Sequence, residues 1–475
     1  MTFRLCCPCG NYGPPVVSRR EMLRRGGMGL GTLALSWLLG EEGTLLGGQG
    51  EHVFPLKRDG KVKSVILLYM GGGPSHVDTW DPKPTLQKLH GQDVPESLAK
   101  NVPMNKRLRV KNLYASPFDF ERYGQSGISV SSLFRATAQH VDDICVIRSM
   151  HHDNPIHAPA EYLTLTGSVI GTRPSLGSWL YYGLGSENED LPGFIVMLEG
   201  DNFGGPAGYG AGFLSPRYHG TVVDASKGIT DIQMPAGYTT ENRRAQLNLM
   251  RKLSQRHQRN LIDSSELEAR ILSYEMAFRM QTAAPEAFDL SQETEETRQL
   301  YGIDESPGYG KNCLLARRLV ERGVRFVQLN QGGWDAHGDL KGNHEKQAQL
   351  VDRPVAGLLT DLKRRGLLQQ TLLVWGGEFG RTPTAEGSGD KPGRDHGPTG
   401  YTMWLAGGGV KGGQIIGATD EIGYTVVHRP VHPNDLQATI LQALGIDQHE
   451  LYYSHQNRKE IVTVLGGEVI KEVFS

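Results

Sequence analysis

Three short runs of apolar residues in the first half of the chain predict buried strands. They lie at 65–70, 144–147 and 194–198, and the first run leads into a glycine-rich turn at 71–74. Hydrophobicity that is continuous rather than alternating is typical of strands covered on both faces. These runs therefore predict a sheet with helices on each side.

Between residues 311 and 445, stretches with helical spacing are interspersed with short apolar runs. This pattern predicts helices at about 311–322, around 348–362 and at about 434–445, with strands at 324–329, 372–375 and 401–406. Pro354 should bend or divide the second helix, because proline lacks the backbone N–H. The alternation implies an α/β fold in which a mostly parallel central sheet carries helices on both faces, with long loop insertions.

The segment at 201–285 interrupts this pattern. Residues 201–260 are rich in glycine, proline and tyrosine and then become polar, so we expect them to wrap the surface, whereas 262–281 has the pattern of a helix. We interpret 201–285 as a loop-rich and helical insertion in one domain that spans 51–475.

The first fifty residues have the pattern of a targeting segment rather than of a folded domain. Arg19 and Arg20 precede an uncharged, mostly apolar run at 26–39, which is too short to span a bilayer as an ordinary helix. A twin arginine before a weakly apolar stretch resembles the twin-arginine export signal. We therefore expect 1–50 to be an export leader and the protein to be periplasmic, cell-surface or extracellular, with no transmembrane span beyond the leader.

Composition excludes several classes of protein. The 475 residues are 38% hydrophobic and 21% charged, which is sufficient for a folded core and unlike a disordered chain. The formal net charge of −2 gives no basic excess, so we expect neither nucleic acid nor an anionic membrane as a partner.

Side chains that bind metal ions gather where the predicted strands end. Asp335 and His337 follow one strand, Glu378 follows another, and Asp78 follows the first strand of the chain. His396 lies in the loop before the strand at 401–406. Because binding crevices in parallel sheets lie beyond the carboxyl ends of the strands, we expect these five residues to form one metal site.

The residue types indicate which ion such a site would hold. Carboxylate oxygen combined with imidazole nitrogen suits zinc, manganese or iron, whereas an all-oxygen set suits magnesium or calcium. We expect a divalent metal, with zinc first and manganese, calcium or magnesium as alternatives. Any one of these residues alone could be an ordinary loop residue, so the prediction depends on the group.

Several motifs resemble a known group of proteins. An apolar strand, then Glu378-Phe379-Gly380, then a distant His396 and another strand resemble the alkaline phosphatase superfamily, which includes sulfatases and phosphoglycerate mutases. More closely, GGGPSHVDTWD at 71–81, GWDAHG at 333–338 and EFGRTP at 378–383 resemble a sulfatase-like bacterial family of unknown function numbered 1501. The resemblance covers nearly all of the chain after the leader. It implies the superfamily fold and hydrolysis of phosphate or sulfate esters.

The chain also departs from that superfamily pattern. In sulfatases a Cys or Ser nucleophile begins a Cys-x-Pro-x-Arg stretch that ends in Leu-Thr-Gly, and the segment at 157–167 has the same length and ending. Here His157 stands at the nucleophile position, Glu161 replaces the Arg, and Gly72 belongs to a turn where the superfamily places a metal-binding Asp. Imidazole cannot become the formylglycine that sulfatases use, so ordinary sulfatase chemistry is not expected.

Three catalytic routes are consistent with these residues. A metal-activated water could attack the ester directly, His157 could form a phosphohistidine, or His157 could join a rebuilt metal site with the nearby His151, His152 and Asp153. We favour the first route, with His157 as a metal ligand or a general acid–base and as the candidate catalytic residue.

The expected substrate is an anionic small molecule or glycan. Arg381 or Arg394 could neutralise its charge, although each could equally form an ordinary ion pair. The residues expected to bind substrate are Ser75, His76, Asn154, Arg381 and Arg394. The alternative function is a superfamily member without turnover that binds an anionic glycan or another ligand at the cell surface.

Overall fold

A computed structural model describes residues 60–100, 112–225, 237, 239–258, 265–387 and 389–474. All of these residues belong to one compact unit, Val53–Ser475. The predicted export leader at 1–50 lies outside the described residues.

The described residues form sixteen strands and eleven α-helices, which are numbered here along the chain. The strands are β1 Ser64–Met70, β2 Phe120–Tyr123, β3 Ile128–Ser131, β4 Ile144–Met150, β5 Phe194–Glu199, β6 Thr221–Val223, β7 Phe326–Gln331, β8 Thr371–Gly376, β9 Gly380–Arg381, β10 His396–Gly397, β11 Tyr401–Gly407, β12 Gln414–Ile416, β13 Ala418–Thr419, β14 Val426–His428, β15 Tyr452–His455 and β16 Arg458–Ile461. The helices are α1 His76–Thr79, α2 Pro84–Lys88, α3 Glu96–Ala99, α4 His157–Thr166, α5 Leu176–Leu184, α6 Thr240–Gln258, α7 Ser265–Phe288, α8 Glu295–Leu300, α9 Pro307–Glu321, α10 Leu340–Arg364 and α11 Pro433–Ala443.

Eight strands form the central sheet in the order β12-β4-β11-β8-β1-β7-β5-β6. Strand β11 is antiparallel to both of its neighbours, and the other seven strands run in one direction. The predicted mostly parallel α/β sheet is therefore confirmed. Because β11 is reversed, the loop before it lies at the same edge of the sheet as the loops that follow its neighbours.

Alternate residues of β1 divide the core between the two faces of the sheet. Ile66, Leu68 and Met70 belong to a cluster with residues of α9 and α10. Val65, Leu67 and Tyr69 belong to a second cluster with residues of α5 and α11. All seven residues of β1 are buried, which explains why the run is apolar without alternation. Helices thus cover both faces, as the pattern predicted.

Of the two expected effects of Pro354, division of the helix is wrong, because α10 is one helix from Leu340 to Arg364, and bending stays a prediction. Proline cannot donate a hydrogen bond to the carbonyl of Leu350, four residues earlier. The Ser306 hydroxyl donates to that carbonyl instead, at 2.8 Å. A contact from a distant segment therefore satisfies the group that Pro354 leaves without a partner.

The 201–285 segment contains more regular structure than predicted. β6 joins the edge of the central sheet beside β5, and α6 is a helix that the polar pattern did not indicate. Leu247 of α6 is buried, but Leu249 and Leu253 are more than half exposed, so its apolar positions do not form one buried face. Among the described residues, no helix combines the length and apolar composition needed to cross a membrane.

Candidate metal centre

Four side chains point at one another at the edge of the sheet; we refer to His157, Asp335, His337 and His396 as the four-ligand cluster. One ligand atom from each residue lies within 4.8 Å of every other. His337 Nε2 lies 2.9 Å from His396 Nε2 and 3.0 Å from Asp335 Oδ1. Asp335 Oδ1 is 3.4 Å from His396 Nε2, and Asp335 Oδ2 is 3.2 Å from His157 Nε2. Residues far apart along the chain thus meet in one cluster.

The sheet topology explains why these residues meet. Asp335 and His337 follow β7, and His157 is the first residue of α4, in the connection that follows β4. His396 lies in β10, just before the reversed strand β11. The carboxyl ends of β4 and β7 and the amino end of β11 share one edge, so the three segments converge there.

The second ring nitrogen of each histidine is held by an oxygen. His157 Nδ1 lies 2.7 Å from Glu378 Oε1, and His337 Nδ1 lies 2.7 Å from Glu386 Oε2. His396 Nδ1 lies 2.6 Å from the carbonyl of Pro155. These oxygens accept hydrogen bonds, so each Nδ1 carries a proton, and each ring in its neutral form presents the lone pair of its Nε2. This arrangement is typical of metal-binding histidines.

The lone pairs of the three Nε2 atoms therefore face one another. His157 Nε2 is buried, and Asp335 Oδ2 lies 3.2 Å from it. His337 Nε2 and His396 Nε2 contact each other and Asp335. Such a set needs a proton or a cation at its centre. Ligand atoms of a tetrahedral zinc ion lie about 3.3 Å apart. The three distances among His337 Nε2, His396 Nε2 and Asp335 Oδ1 are close to that value. The residues fit a zinc ion.

The electrostatics of the cluster are consistent with a cation site. Burial alone would lower the pKa of His157, but hydrogen bonds to Asp335 and Glu378 raise it to about 9. Burial alone would raise the pKa of Asp335, but His157, His396 and Arg381 hold it well below its usual range. The cluster therefore stabilises positive charge, and binding of a metal ion would have to displace protons.

Glu378 lies behind His157 and is not a member of the four-ligand cluster. Its side chain is fully buried and accepts hydrogen bonds from Gly72 N at 2.9 Å and from the Tyr69 hydroxyl at 3.1 Å, besides the contact with His157. A side chain at Gly72 would place its Cβ 2.5 Å from Asp335 N. There is therefore no room at Gly72 for the Asp that the superfamily pattern has in this turn.

Arg381 supports the cluster from inside the protein. Its Nη2 lies 2.6 Å from Asp335 Oδ1, its Nε donates to Gly73 O at 3.0 Å, and its Nη1 donates to Arg394 O at 3.2 Å. The guanidinium is fully buried. The prediction that Arg381 binds a substrate has no support in this placement, because its charge is directed at Asp335 and at backbone carbonyls.

Asp78 and Arg394 form a second group with Ser75 and His344, which we call the inner network. Arg394 Nε lies 2.7 Å from Asp78 Oδ2, and both side chains are fully buried. The Ser75 hydroxyl donates to Asp78, and Ser75 N donates to His344 Nε2 at 3.1 Å. Burial alone would raise the pKa of Asp78, but the charge of Arg394 lowers it.

The inner network bears on three predicted site residues. Asp78 was expected to bind metal, and Ser75 and Arg394 were expected to bind substrate. Their polar atoms are instead paired with one another in the interior, so the structure does not bring them to the four-ligand cluster. This placement supports a structural role for all three.

Other predicted residues are also occupied by internal contacts. His76 is buried, its Nε2 donates to Gly423 O at 2.7 Å, and burial lowers its pKa to about 4. Asn154 Oδ1 accepts from Ile156 N at 3.0 Å. His152 Nε2 donates to Glu378 O at 2.6 Å, and its Nδ1 accepts from Asn154 N. His152 therefore does not join the cluster, although the route with a rebuilt metal site required it. Binding of substrate by His76 or Asn154 stays a prediction.

Several residues of the site were not predicted from the sequence. Glu386 orients His337 from a loop without a distinguishing motif. The ring of Phe203 stacks on His157 with centroids 4.1 Å apart, and Phe379 packs against both His157 and His396. Phe379 belongs to the EFGRTP motif, but nothing in the pattern around Phe203 connects it with His157.

Glu161 lies one helical turn after His157 and is buried. Its Oε2 accepts from Gly204 N at 2.9 Å, and its Oε1 has no hydrogen-bond partner among the described residues. Burial and the charge of Glu378 raise the pKa of Glu161 to about 8. The residue that replaces the sulfatase Arg therefore contacts the backbone next to Phe203.

Comparisons with solved structures give weak similarities. The chain is 11% identical to Ps i-CgsB, solved in complex with k-i-k-neocarrahexaose, over 83% of this chain and 75% of that one, with a TM-score of 0.38. The PsFucS1 sulfatase from Pseudoalteromonas sp. is 11% identical over 89% and 72%, with a TM-score of 0.32. The alkaline phosphatase from the Antarctic bacterium TAB5 is 9% identical over 83% and 100%, with a TM-score of 0.33. At this identity the similarities do not define the chemistry of the site.

The family comparison is more extensive. No curated protein matches the chain. Residues 62–474 match the family described as "Protein of unknown function (DUF1501)", which agrees with the resemblance carried by the motifs at 71–81, 333–338 and 378–383. Because this match includes nearly all of the described residues, the chain belongs to the family of proteins of unknown function DUF1501.

Proposed function

We propose that the protein is a metal-dependent hydrolase of phosphate or sulfate esters, with zinc as the preferred ion and with water as the nucleophile. The observation that supports this proposal is the convergence of three imidazole Nε2 lone pairs on the Asp335 carboxylate. Three nitrogen ligands and one carboxylate favour zinc over magnesium or calcium. Position 157 holds no serine, threonine or cysteine, so a water nucleophile fits better than a covalent intermediate on a hydroxyl or thiol.

Bound at the cluster, the ion would lower the pKa of a water molecule and neutralise charge on the ester oxygens. The residues of the chain prepare the site for this chemistry. Glu378 and Glu386 keep the protons of His157 and His337 on Nδ1, so both Nε2 atoms are available as ligands. Arg381 fixes Asp335 and offsets its negative charge. His157 is then a ligand, and this role replaces that of general acid–base.

The direct test is turnover by protein loaded with a defined ion. Zinc-loaded protein should hydrolyse p-nitrophenyl phosphate or p-nitrophenyl sulfate, and removal of the ion with a chelator should abolish that activity. His396→Ala should lose activity together with zinc, whereas His449→Ala, which changes an exposed histidine outside the cluster, should keep both. Zinc-loaded, manganese-loaded and magnesium-loaded protein that hydrolyses neither ester between pH 5 and 10 would contradict the proposal.

A second candidate function is binding without turnover. Four protein ligands make a closed tetrahedral set, which is typical of structural zinc sites, whereas catalytic zinc keeps one position for water. The fractional exposure of the His337 side chain is 42%, which would allow a fifth ligand to approach from solvent. The two candidates therefore differ in whether the bound ion has an open position.

Cobalt replacement distinguishes these candidates. Cobalt-loaded protein with an open position should change its visible absorption spectrum when phosphate is added, and it should also turn over an ester. A strong tetrahedral spectrum that phosphate does not change, together with absence of turnover, would favour the binding protein.

We also propose that the protein is exported by the twin-arginine route, so that it leaves the cytoplasm already folded around its ion. The motif at Arg19 and Arg20 supports this proposal. Replacing both with lysine should retain the protein in the cytoplasm of a bacterial host, as measured by cell fractionation. Export that does not depend on these two residues would contradict this route.

A further inference from the structure

Two phenylalanine rings pack against the histidines of the four-ligand cluster, but they differ in exposure. Phe379 lies 4.9 Å from His157 and 4.6 Å from His396 between ring centroids, and it is 1% exposed. Phe203 is stacked nearly parallel on His157, at 4.1 Å and 12°, yet it remains 37% exposed. Phe379 therefore accounts for packing inside the site, whereas Phe203 also presents apolar surface to solvent beside a metal ligand.

The loop that carries Phe203 is held firmly in place. Gly204 N donates to the buried carboxylate of Glu161, and a side chain at Gly204 would place its Cβ 3.0 Å from Glu161 Cδ. On the other side, a side chain at Gly332 would place its Cβ 2.2 Å from Asp201 N, so the loop packs directly against the segment that leads to Asp335. Phe203 is thus fixed relative to the four-ligand cluster from two sides.

We propose that Phe203 is a stacking platform for the alcohol part of the substrate. The site would then prefer phosphate or sulfate esters in which a six-membered ring, aryl or sugar, adjoins the ester oxygen, over esters of acyclic alcohols. Glu161 is the positioning residue that holds this platform. The inference rests on the proposed function for the orientation of the ester, whose charged group is expected at the ion.

Geometry and composition favour a ring over a linear chain. His157 covers one face of Phe203, so the exposed part is the opposite face and the ring edge, one stacked ring away from a member of the four-ligand cluster. A flat ring covers an aromatic ring with more contact area than a linear alkyl group, and it loses less conformational freedom when it is bound. Ile156, the residue before His157, is 63% exposed and adds apolar surface beside that histidine.

Binding of stable analogues to zinc-loaded protein tests the platform without requiring turnover. The probes are benzylphosphonate, n-butylphosphonate and the analogue of glucose 1-phosphate in which CH₂ replaces the ester oxygen. We expect at least one ring compound to bind roughly three- to tenfold more tightly than the butyl compound. The preference should disappear in Phe203→Leu and persist in Phe203→Tyr, as measured by calorimetry on samples with equal zinc content.

Two further variants separate positioning from general packing. Glu161→Gln keeps an oxygen that accepts from Gly204 N and should retain the preference, whereas Glu161→Ala should weaken it without loss of zinc. Leu253→Ala removes exposed apolar surface from α6, and it should leave all three affinities unchanged. Whichever ring compound binds more tightly, benzylphosphonate or the glucose analogue, identifies the alcohol part of the substrate as aryl or sugar.

The outcomes distinguish this inference from the proposed function. Equal affinities for the three analogues, a ring preference that survives Phe203→Leu, or failure of every analogue to bind would overturn the platform. If esters are hydrolysed but the ring has no effect, the platform fails and the proposed function stands. If ring compounds bind with the expected preference but no ester is ever hydrolysed, the proposed function fails and the platform stands.

Discussion

The four-ligand cluster and the inner network both contain aspartate and histidine and are joined through Arg381, yet they differ in hydrogen-bond balance. In the inner network, donors and acceptors are matched: Asp78 accepts from Arg394 and Ser75, and His344 accepts from Ser75 N. In the four-ligand cluster, three imidazole lone pairs and a carboxylate face one another. The excess of acceptors, rather than the presence of acids and histidines, makes the four-ligand cluster the candidate metal site.

The difference in exposure follows from the same balance. A fully paired group can be enclosed because little desolvation cost is left uncompensated, and Asp78 and Arg394 are both 0% exposed. An excess of acceptors is stable only if a cation or a proton can reach it. His337 and Asp335 accordingly keep contact with solvent. The comparison predicts that the inner network supports the fold and that the four-ligand cluster supports metal binding.

Removal of one charge from the inner network should have the largest effect. Asp78→Asn would leave the Arg394 guanidinium buried without its counter-ion, and breaking such pairs costs about 3–5 kcal/mol. We expect the free energy of unfolding of the zinc-free protein to fall by that amount in urea denaturation, while the folded fraction still binds zinc. Asp190→Asn, at an exposed position, is the control. A loss of zinc affinity without loss of stability would assign Asp78 to the metal site after all.

Removal of one ligand from the four-ligand cluster should have the opposite pattern. His396→Ala takes away one nitrogen and leaves no buried charge behind, so zinc affinity should fall by about 100-fold or more, which corresponds to about 2.7 kcal/mol. The free energy of unfolding without zinc should change by less than about 1 kcal/mol. Competition with a chromophoric chelator measures the affinity, with His449→Ala as the control. Unchanged zinc binding would contradict the cluster as the metal site.

Sequence patterns predicted the scaffold well because burial on both faces leaves a strong signal. All seven positions of β1 are buried, and the continuous apolar run is the direct consequence. The same reasoning placed Asp335 and His337 at the edge where β7 ends, since binding crevices lie beyond the carboxyl ends of parallel strands. The reversed direction of β11, which brings His396 to that edge, depends on strand order and could not be predicted from local pattern.

The sequence did not distinguish ligands from supporting residues. Asp78 and Asp335 both follow a β-strand, but Asp78 turns inward towards Arg394 whereas Asp335 lies in the cluster. That direction depends on close backbone contacts, such as Gly72 against Asp335, which no residue pattern encodes. Glu386 and Phe203 escaped prediction for a similar reason, because each acts through one contact made across the fold.

The inner network should also make the stability of the protein depend on pH, through His344. His344 is fully buried and burial lowers its pKa to about 3, below the value of about 6.5 in an unfolded chain. Between pH values of about 3 and 6.5, His344 therefore binds a proton in the unfolded state but not in the folded state. Stability is fully present above pH 6.5 and is lost as the pH falls, with a slope of about 1.4 kcal/mol per pH unit from this residue.

His344→Gln should remove that contribution, because glutamine can accept from Ser75 N but does not titrate. Urea denaturation with a chelator present, at pH 7, 6 and 5, should give a shallower decline for the variant than for the unmodified protein. His449→Gln, at an exposed position, should leave the decline unchanged. Parallel declines in all three proteins would show that the inner network tolerates a charged His344.

The smallest expected effect concerns the oxygens that orient the ligands. Glu386 and Glu378 make the same 2.7 Å contact with a histidine Nδ1, but the side chain of Glu386 is 40% exposed whereas that of Glu378 is fully buried. Water can replace an exposed acceptor, so Glu386→Ala should weaken zinc binding by only about tenfold, the lower end for residues that orient ligands. Glu386→Gln keeps an oxygen for the Nδ1 proton and should weaken it by less. If glutamine lowered zinc affinity as much as alanine, the cation would be favoured by the negative charge of Glu386 rather than by the orientation of His337. Charge balance would then matter even at the exposed side of the four-ligand cluster.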